Sequence, residues 1–206
     1  RDKLVTGVQT CALPILIVVI LAIVTVQQTA VSLVRERELG TAEQLTVSPL
    51  RRGELMLGKL LPWTVLAFVD LAVISALAVW VFGVPLRGDP LVLAAGAALF
   101  VFCCLGMGLV ISAVAPSVDV ANIAALLLTF LPAFLLSGFV FALNQIPVVL
   151  QWISMAFPAR YMMAISRGVF LKGAGWAELW PEFVGLGIYA VVALTAASLL
   201  FSRRTR

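Results

Sequence analysis

The stretch Arg35–Lys59, RERELGTAEQLTVSPLRRGELMLGK, separates two uninterrupted apolar runs, Leu16–Val34 and Leu60–Val84. Its punctuation shows that it is folded and not a simple tether. Gly40 stands where a left-handed residue would close the helix arriving from the first run. Thr41-x-x-Gln44 has capping-box spacing, in which Thr41 accepts from a backbone amide and Gln44 reaches back, and it predicts a short helix around Ala42 to Thr46. Ser48-Pro49 predicts the start of another helix, with Ser48 as its cap and Pro49 at the first helical position, where no amide hydrogen is required. A connector between helices needs about two to eight residues, and this one has about 25. The expectation is a compact polar excursion held between two membrane spans.

The composition around this loop is that of a membrane protein. Hydrophobic residues make up 63% of the chain and charged residues 12%, with a mean hydropathy of +1.13, well away from the usual proportions of a soluble domain. A membrane-crossing helix needs about 20 mostly apolar residues. Five stretches meet that requirement: Leu16–Val34, Leu60–Val84, Leu91–Val114, Val120–Ala142 and Phe183–Phe201. The predicted fold class is therefore all-α and integral to the membrane, with five transmembrane helices. Between the fourth and fifth, IPVVLQWISMAF and RYMMAISRGVFL flank Pro158 and predict two short interfacial or re-entrant helices on the outer side. Trp152, Tyr161, Trp176 and Trp180 are expected to form an aromatic belt there.

The basic residues predict an orientation. The Arg35–Lys59 loop carries Arg35, Arg37, Arg51, Arg52 and Lys59, and the tail adds Arg203, Arg204 and Arg206. With five spans these two segments share a face, opposite Arg87, Arg160, Arg167 and Lys172. The positive-inside rule then places the loop and the C-terminus in the cytoplasm of a multi-pass inner (plasma) membrane protein. The first span would start outside, which implies an earlier crossing. Because the charges flank apolar runs and form no stripe, nucleic acid is not an expected partner.

Several chemistries lose support. The chain has no His, the residue on which metal sites and general-base catalysis most often depend, so neither a metal site nor an enzyme is expected. Cys103 and Cys104 lie in an apolar run and read as packing residues. GELMLGKL, Gly53–Leu60, imitates part of a phosphate-binding loop, but Leu60 replaces the magnesium-holding hydroxyl and the segment runs directly into a span. Cofactors are accordingly expected to be absent from this chain. Asp70 is the exception within the spans. An ionisable residue at mid-membrane is costly unless it meets protein or water, so it is a candidate for the translocation path, against a structural carboxyl bonded to a neighbouring helix. Gln27, Gln28, Asn122 and the Gly106-Met107-Gly108 segment read as helix-packing positions.

The loop, together with LLSGFVFALNQIPVVLQWIS, the FPARY turn and ISRGVFLKGAG, resembles the permease subunit of type-2 ABC exporters over residues 16–206. The family's Glu-x-Gly-Thr-x-x-x-Leu-x-x-x-Pro pattern falls here on Glu38, Gly40, Thr41, Leu45 and Pro49. The resemblance implies that the loop is a coupling helix contacting a separate ABC ATPase subunit, which would bind the ATP. The residues expected to serve it are Glu36, Glu38, Gly40, Thr41, Glu43, Gln44, Leu45, Ser48 and Pro49. It further implies a second permease subunit, as a homodimer or heterodimer in the lipid bilayer, and a preceding span that would make the chain the C-terminal part of a six-span permease. The rival is an ATP-independent channel or ion-coupled carrier with Asp70 as relay. An intramembrane enzyme would need a nucleophile and base together, and the spans show no such pair.

The beginning of the chain is read differently. Back-translation of VTGVQTCALPI, Val5–Ile15, reproduces a common short-read sequencing adapter, and Arg1-Asp2 fits the same oligonucleotide upstream. Residues 1–15 are therefore expected to be translated adapter. Setting aside Arg1, Lys3 and Asp2 from the 14 basic and 10 acidic residues leaves 12 and 9.

Overall fold

The computed structural model describes residues 2–40, 52–81, 83, 87–135 and 154–204. They form six α-helices: α1 (Asp2–Glu38), α2 (Arg52–Trp80), α3 (Pro90–Val114), α4 (Val118–Leu135), α5 (Pro158–Arg167) and α6 (Trp176–Arg204), with a π-helical turn, Gly168–Lys172, continuing α5. Four contain stretches long and apolar enough to cross a membrane: Ile15–Glu38, Leu61–Trp80, Pro90–Val114 and Trp176–Ala197. In α4 the apolar helix described, Val118–Ala133, is shorter. The fold class is thus the expected all-α membrane protein. Helix α1 starts at Asp2 and continues without a break through the adapter-like stretch, and Ile15, Ile17 and Val18 are buried in the core.

Local chemistry sets the helix ends. Asp89 caps α3 by accepting from the Leu91 amide at 2.8 Å, with Pro90 at the first position. The same helix stops after Val114 because Pro116 has no amide to continue it. Ser117 opens α4, its hydroxyl accepting from the Val120 amide at 3.4 Å. Gly173 ends the π turn at φ 68°, with its N–H returned to the Gly168 carbonyl. The left-handed end predicted at Gly40 is present at φ 71°.

Helix α3 is the centre of the bundle, packed chiefly against α6 and α1, and α1 in turn packs against α4. Two glycines make these contacts possible. A Cβ on Gly106 would lie 2.7 Å from the Ala193 Cβ of α6, and one on Gly108 would lie 2.7 Å from the Thr29 Cβ of α1. Small residues at such crossings let helix backbones approach within membranes. The packing role read for Gly106 and Gly108 is thus realised on two opposite neighbours. Gln27 and Asn122 also act as expected, the Gln27 side-chain amide donating to the Asn122 carbonyl across α1 and α4.

Helix α5 is inserted into the bundle, with Met162, Met163, Ile165, Val169 and Phe170 of this segment all buried. Of the two forms expected for this segment, burial favours the re-entrant one over a helix lying flat at the surface. The partner segment preceding Ser154 lies outside the described residues. Trp176 and Trp180 are exposed at the start of α6 as a belt would be, Trp176 stacking on Phe183 at 5.2 Å between centroids. Tyr161 is half-buried, its hydroxyl donating to the carbonyl of exposed Met155 at 3.0 Å, and Trp152 lies outside the described residues.

Candidate coupling and transport site

The expected coupling residues begin at the end of α1. Leu39 and Gly40 donate backbone bonds to the carbonyls of Arg35 and Arg37, at 3.0 and 3.2 Å, so the helix closes within one turn and the chain leaves it at Gly40. Glu36 is half-buried and Glu38 exposed. Thr41, Glu43, Gln44, Leu45, Ser48 and Pro49 lie outside the described residues. Gly53–Leu60, the phosphate-loop imitation, forms the first turns of α2 and is helical, not a loop.

An arrangement that sequence reasoning missed ties this end of α1 to its neighbours. Arg37 Nη2 donates to the Ser112 carbonyl in the last turn of α3. Glu38 Oε1 accepts from the Val118 amide at the start of α4 at 2.8 Å. Two adjacent side chains therefore reach two different helices. The available signal was Pro116: lacking an N–H, it leaves the carbonyl four residues earlier, that of Ser112, without its helical partner. Charge suits both ends, since a guanidinium is favoured at a helix C-terminus and a carboxylate at an N-terminus. Beside the pair lies a crevice of about 300 Å³ lined by Val34, Arg37, Glu38, Ala115 and Pro116.

The opposite end of the bundle is built from other pieces. There the Gly88 amide donates to the Val169 carbonyl at 2.9 Å, joining the α2–α3 connection to the π turn. Nearby on α5, Arg160 Nη1 donates to the hydroxyl of buried Ser154 at 2.7 Å. Since α3 runs from the Asp89 cap to the Arg37 contact, these two ends are separated by about 37 Å, the length of a 25-residue helix. The grouping of Gly40 with the α3–α4 turn, and of Gly88 with the re-entrant segment, follows the alternation of sides that the five spans imply.

Asp70 is not brought to the coupling end. It lies 18 residues into α2, about 27 Å along that helix from Arg52. Ala67, Leu71 and Ala78 form the buried stripe of α2, whereas Phe68, Val69 and Val73 are exposed. Half-buried Asp70 sits at the border between them. Inside the bundle, a narrow cavity lined by Ala22, Val26, Phe100, Cys104, Met107 and Thr129 among others offers only about 10 Å³, room for roughly one water molecule. It is not a passage for larger cargo. Cys103 and Cys104 are buried packing residues as read, the Cys103 thiol reaching the Leu186 carbonyl at 3.3 Å.

Comparison with known proteins adds the context for this geometry. Residues 4–171 match the family described as ABC-2 type transporter. The chain is 34% identical over 161 residues to a protein of Escherichia coli (strain K12) named "Probable multidrug ABC transporter permease YbhS", covering 78% of this chain and 43% of that protein. It is 32% identical over 175 residues to "Probable multidrug ABC transporter permease YbhR" of the same strain, covering 83% of this chain and 47% of that protein. A more distant relative, "ABC transporter G family member 20" of Dictyostelium discoideum, is 26% identical over 180 residues. The chain thus spans less than half the length of each of these relatives.

Proposed function

This chain belongs to the ABC-2 type transporter family, and from that premise we propose that it is the permease subunit of an ATP-driven exporter, paired with a second permease and served by a separate ATPase. The observation that carries the reading is the way α1 ends. The helix closes at Gly40, at the end of the bundle away from the re-entrant helix. A segment leaving α1 at that end could receive a push from a partner on that side. ATP chemistry belongs to the partner, and this chain acts by changing shape. Such a change requires contacts that differ between two states, and on this reading Asp70, half-buried at the edge of the exposed face of α2, would line a path formed between two permeases. Residues 1–15 we read as translated adapter.

Glu43→Arg in the full-length permease tests this. A reversed charge in a desolvated pair costs several kcal/mol, on the order of 2–5. The variant should insert and dimerise normally yet fail to stimulate the ATPase or respond to it; wild-type coupling would move the contact elsewhere. Orientation is tested separately with an impermeant thiol reagent on intact cells. Gly88→Cys should label and Ser48→Cys should not, and the opposite pattern would invert the proposed topology.

A further inference from the structure

We infer that Arg37 and Glu38 are positioning residues, a two-headed linkage that makes the α3–α4 turn move with the segment leaving Gly40; this rests on the proposed coupling function. Each head meets a backbone group that its own helix cannot satisfy. Pro116 leaves the Ser112 carbonyl unpaired within α3, and Arg37 Nη2 donates to it. Val118 is the first residue of α4, so its amide has no carbonyl within that helix, and Glu38 Oε1 accepts from it at 2.8 Å. The signs are matched as well as the positions. The cation sits at the C-terminal end of one helix and the anion at the N-terminal end of the next, and exchanging the two residues would set each against the wrong dipole end.

The linkage has a mechanical consequence. Glu38 is two residues from Gly40, where the chain leaves α1. A displacement applied beyond Gly40 is carried along α1 and also through two charge-assisted bonds into α3 and α4. Because α3 touches α6 at Gly106 and α1 at Gly108, its last turn is a point from which movement reaches most of the bundle. Glu38, a residue of the family pattern that reads from sequence as part of the ATPase contact, therefore acts through Val118 instead.

The full-length permease, reconstituted with its ATPase in proteoliposomes, tests this with three readouts: affinity for the ATPase, transport per ATP hydrolysed, and amide exchange over residues 115–121 in the permease alone. Glu38→Ala should leave the affinity unchanged and lower transport per ATP about tenfold, the weight of one hydrogen bond to a charged group. It should also speed exchange at Val118. Glu38→Gln, which keeps an oxygen acceptor, should retain most of the coupling. Val118→Pro removes the amide at a helix position where proline is tolerated and leaves Glu38 in place, so it should uncouple in the same way even where Glu38→Ala fails to accumulate. Reduced ATPase affinity with normal transport per bound ATPase would overturn the inference and make Glu38 a direct contact. Normal transport per folded molecule in Val118→Pro would overturn it by reducing the linkage to a structural cap. Wild-type protein without ATP-dependent transport would count against the proposed function alone, while the exchange readout would still decide whether Glu38 holds the turn.

Discussion

Helix α2 buries 17% of its apolar stretch and helix α3 buries 72%, although their mean hydropathies, 2.0 and 2.5, are similar. What separates them is side-chain size. The outward residues of α2 are large, among them Val65, Leu66, Val69, Val73 and Leu77, and its span Leu61–Trp80 has no glycine, whereas α3 carries Gly96, Gly106 and Gly108. Lipid tails are as apolar as leucine, so hydrophobicity does not draw one helix against another within a bilayer; close packing does. The helix able to approach its neighbours became the centre, and the bulky one stayed at the edge.

The sharpest way to break this contrast is to enlarge the crossing. Gly106→Leu would drive a side chain into Ala193, where a Cβ alone already comes within 2.7 Å, and it should destabilise the bundle by about 3 kcal/mol. Gly187→Ala is the control, because a Cβ there meets nothing within 4 Å, and it should be neutral or stabilising by up to about 1 kcal/mol. Reversible unfolding in detergent measures both, and equal stabilities would mean that α3 does not owe its position to close approach.

A smaller effect is expected at the polar crossing of α1 and α4. A double-mutant cycle of Gln27→Leu and Asn122→Leu should show a coupling of about 0.6 kcal/mol, the average for side-chain hydrogen bonds between membrane helices. A coupling of zero would mean that the bond seen between them is replaced by other partners once broken. The smallest change in stability belongs to Asp70→Asn on α2, within about 0.5 kcal/mol, while transport or its pH dependence should change if Asp70 lines the path. Lost folding with unchanged transport would instead assign Asp70 a structural role.

These comparisons show which features were legible along the chain. Gly40 was read locally, and its left-handed end is present, because a helix end is set within one turn of its own helix. Asp89-Pro90 and Pro116-Ser117 act through the same local chemistry but were not read. The coupling role of Glu43 and its neighbours rests on family pattern, and those residues lie outside the described structure. The Arg37–Ser112 and Glu38–Val118 bonds were not read from sequence. Pro116 announces an unpaired carbonyl, but the chain does not say which of its 14 basic residues will come to meet it.

By itself, the amino-acid sequence determined that the chain is an all-α membrane protein, roughly where its apolar helices fall, and that α1 closes at Gly40. Apolar length and capping chemistry are properties of a segment alone, and the bilayer leaves a segment of that length and hydropathy no other stable form. Only the tertiary structure decided that α3 is central, that α5 is inserted among its neighbours, and that two adjacent charges at the end of α1 hold the turn between α3 and α4. Each of these depends on which surfaces come within a few ångströms of each other, a property of pairs of helices that hydropathy, summed residue by residue, does not contain.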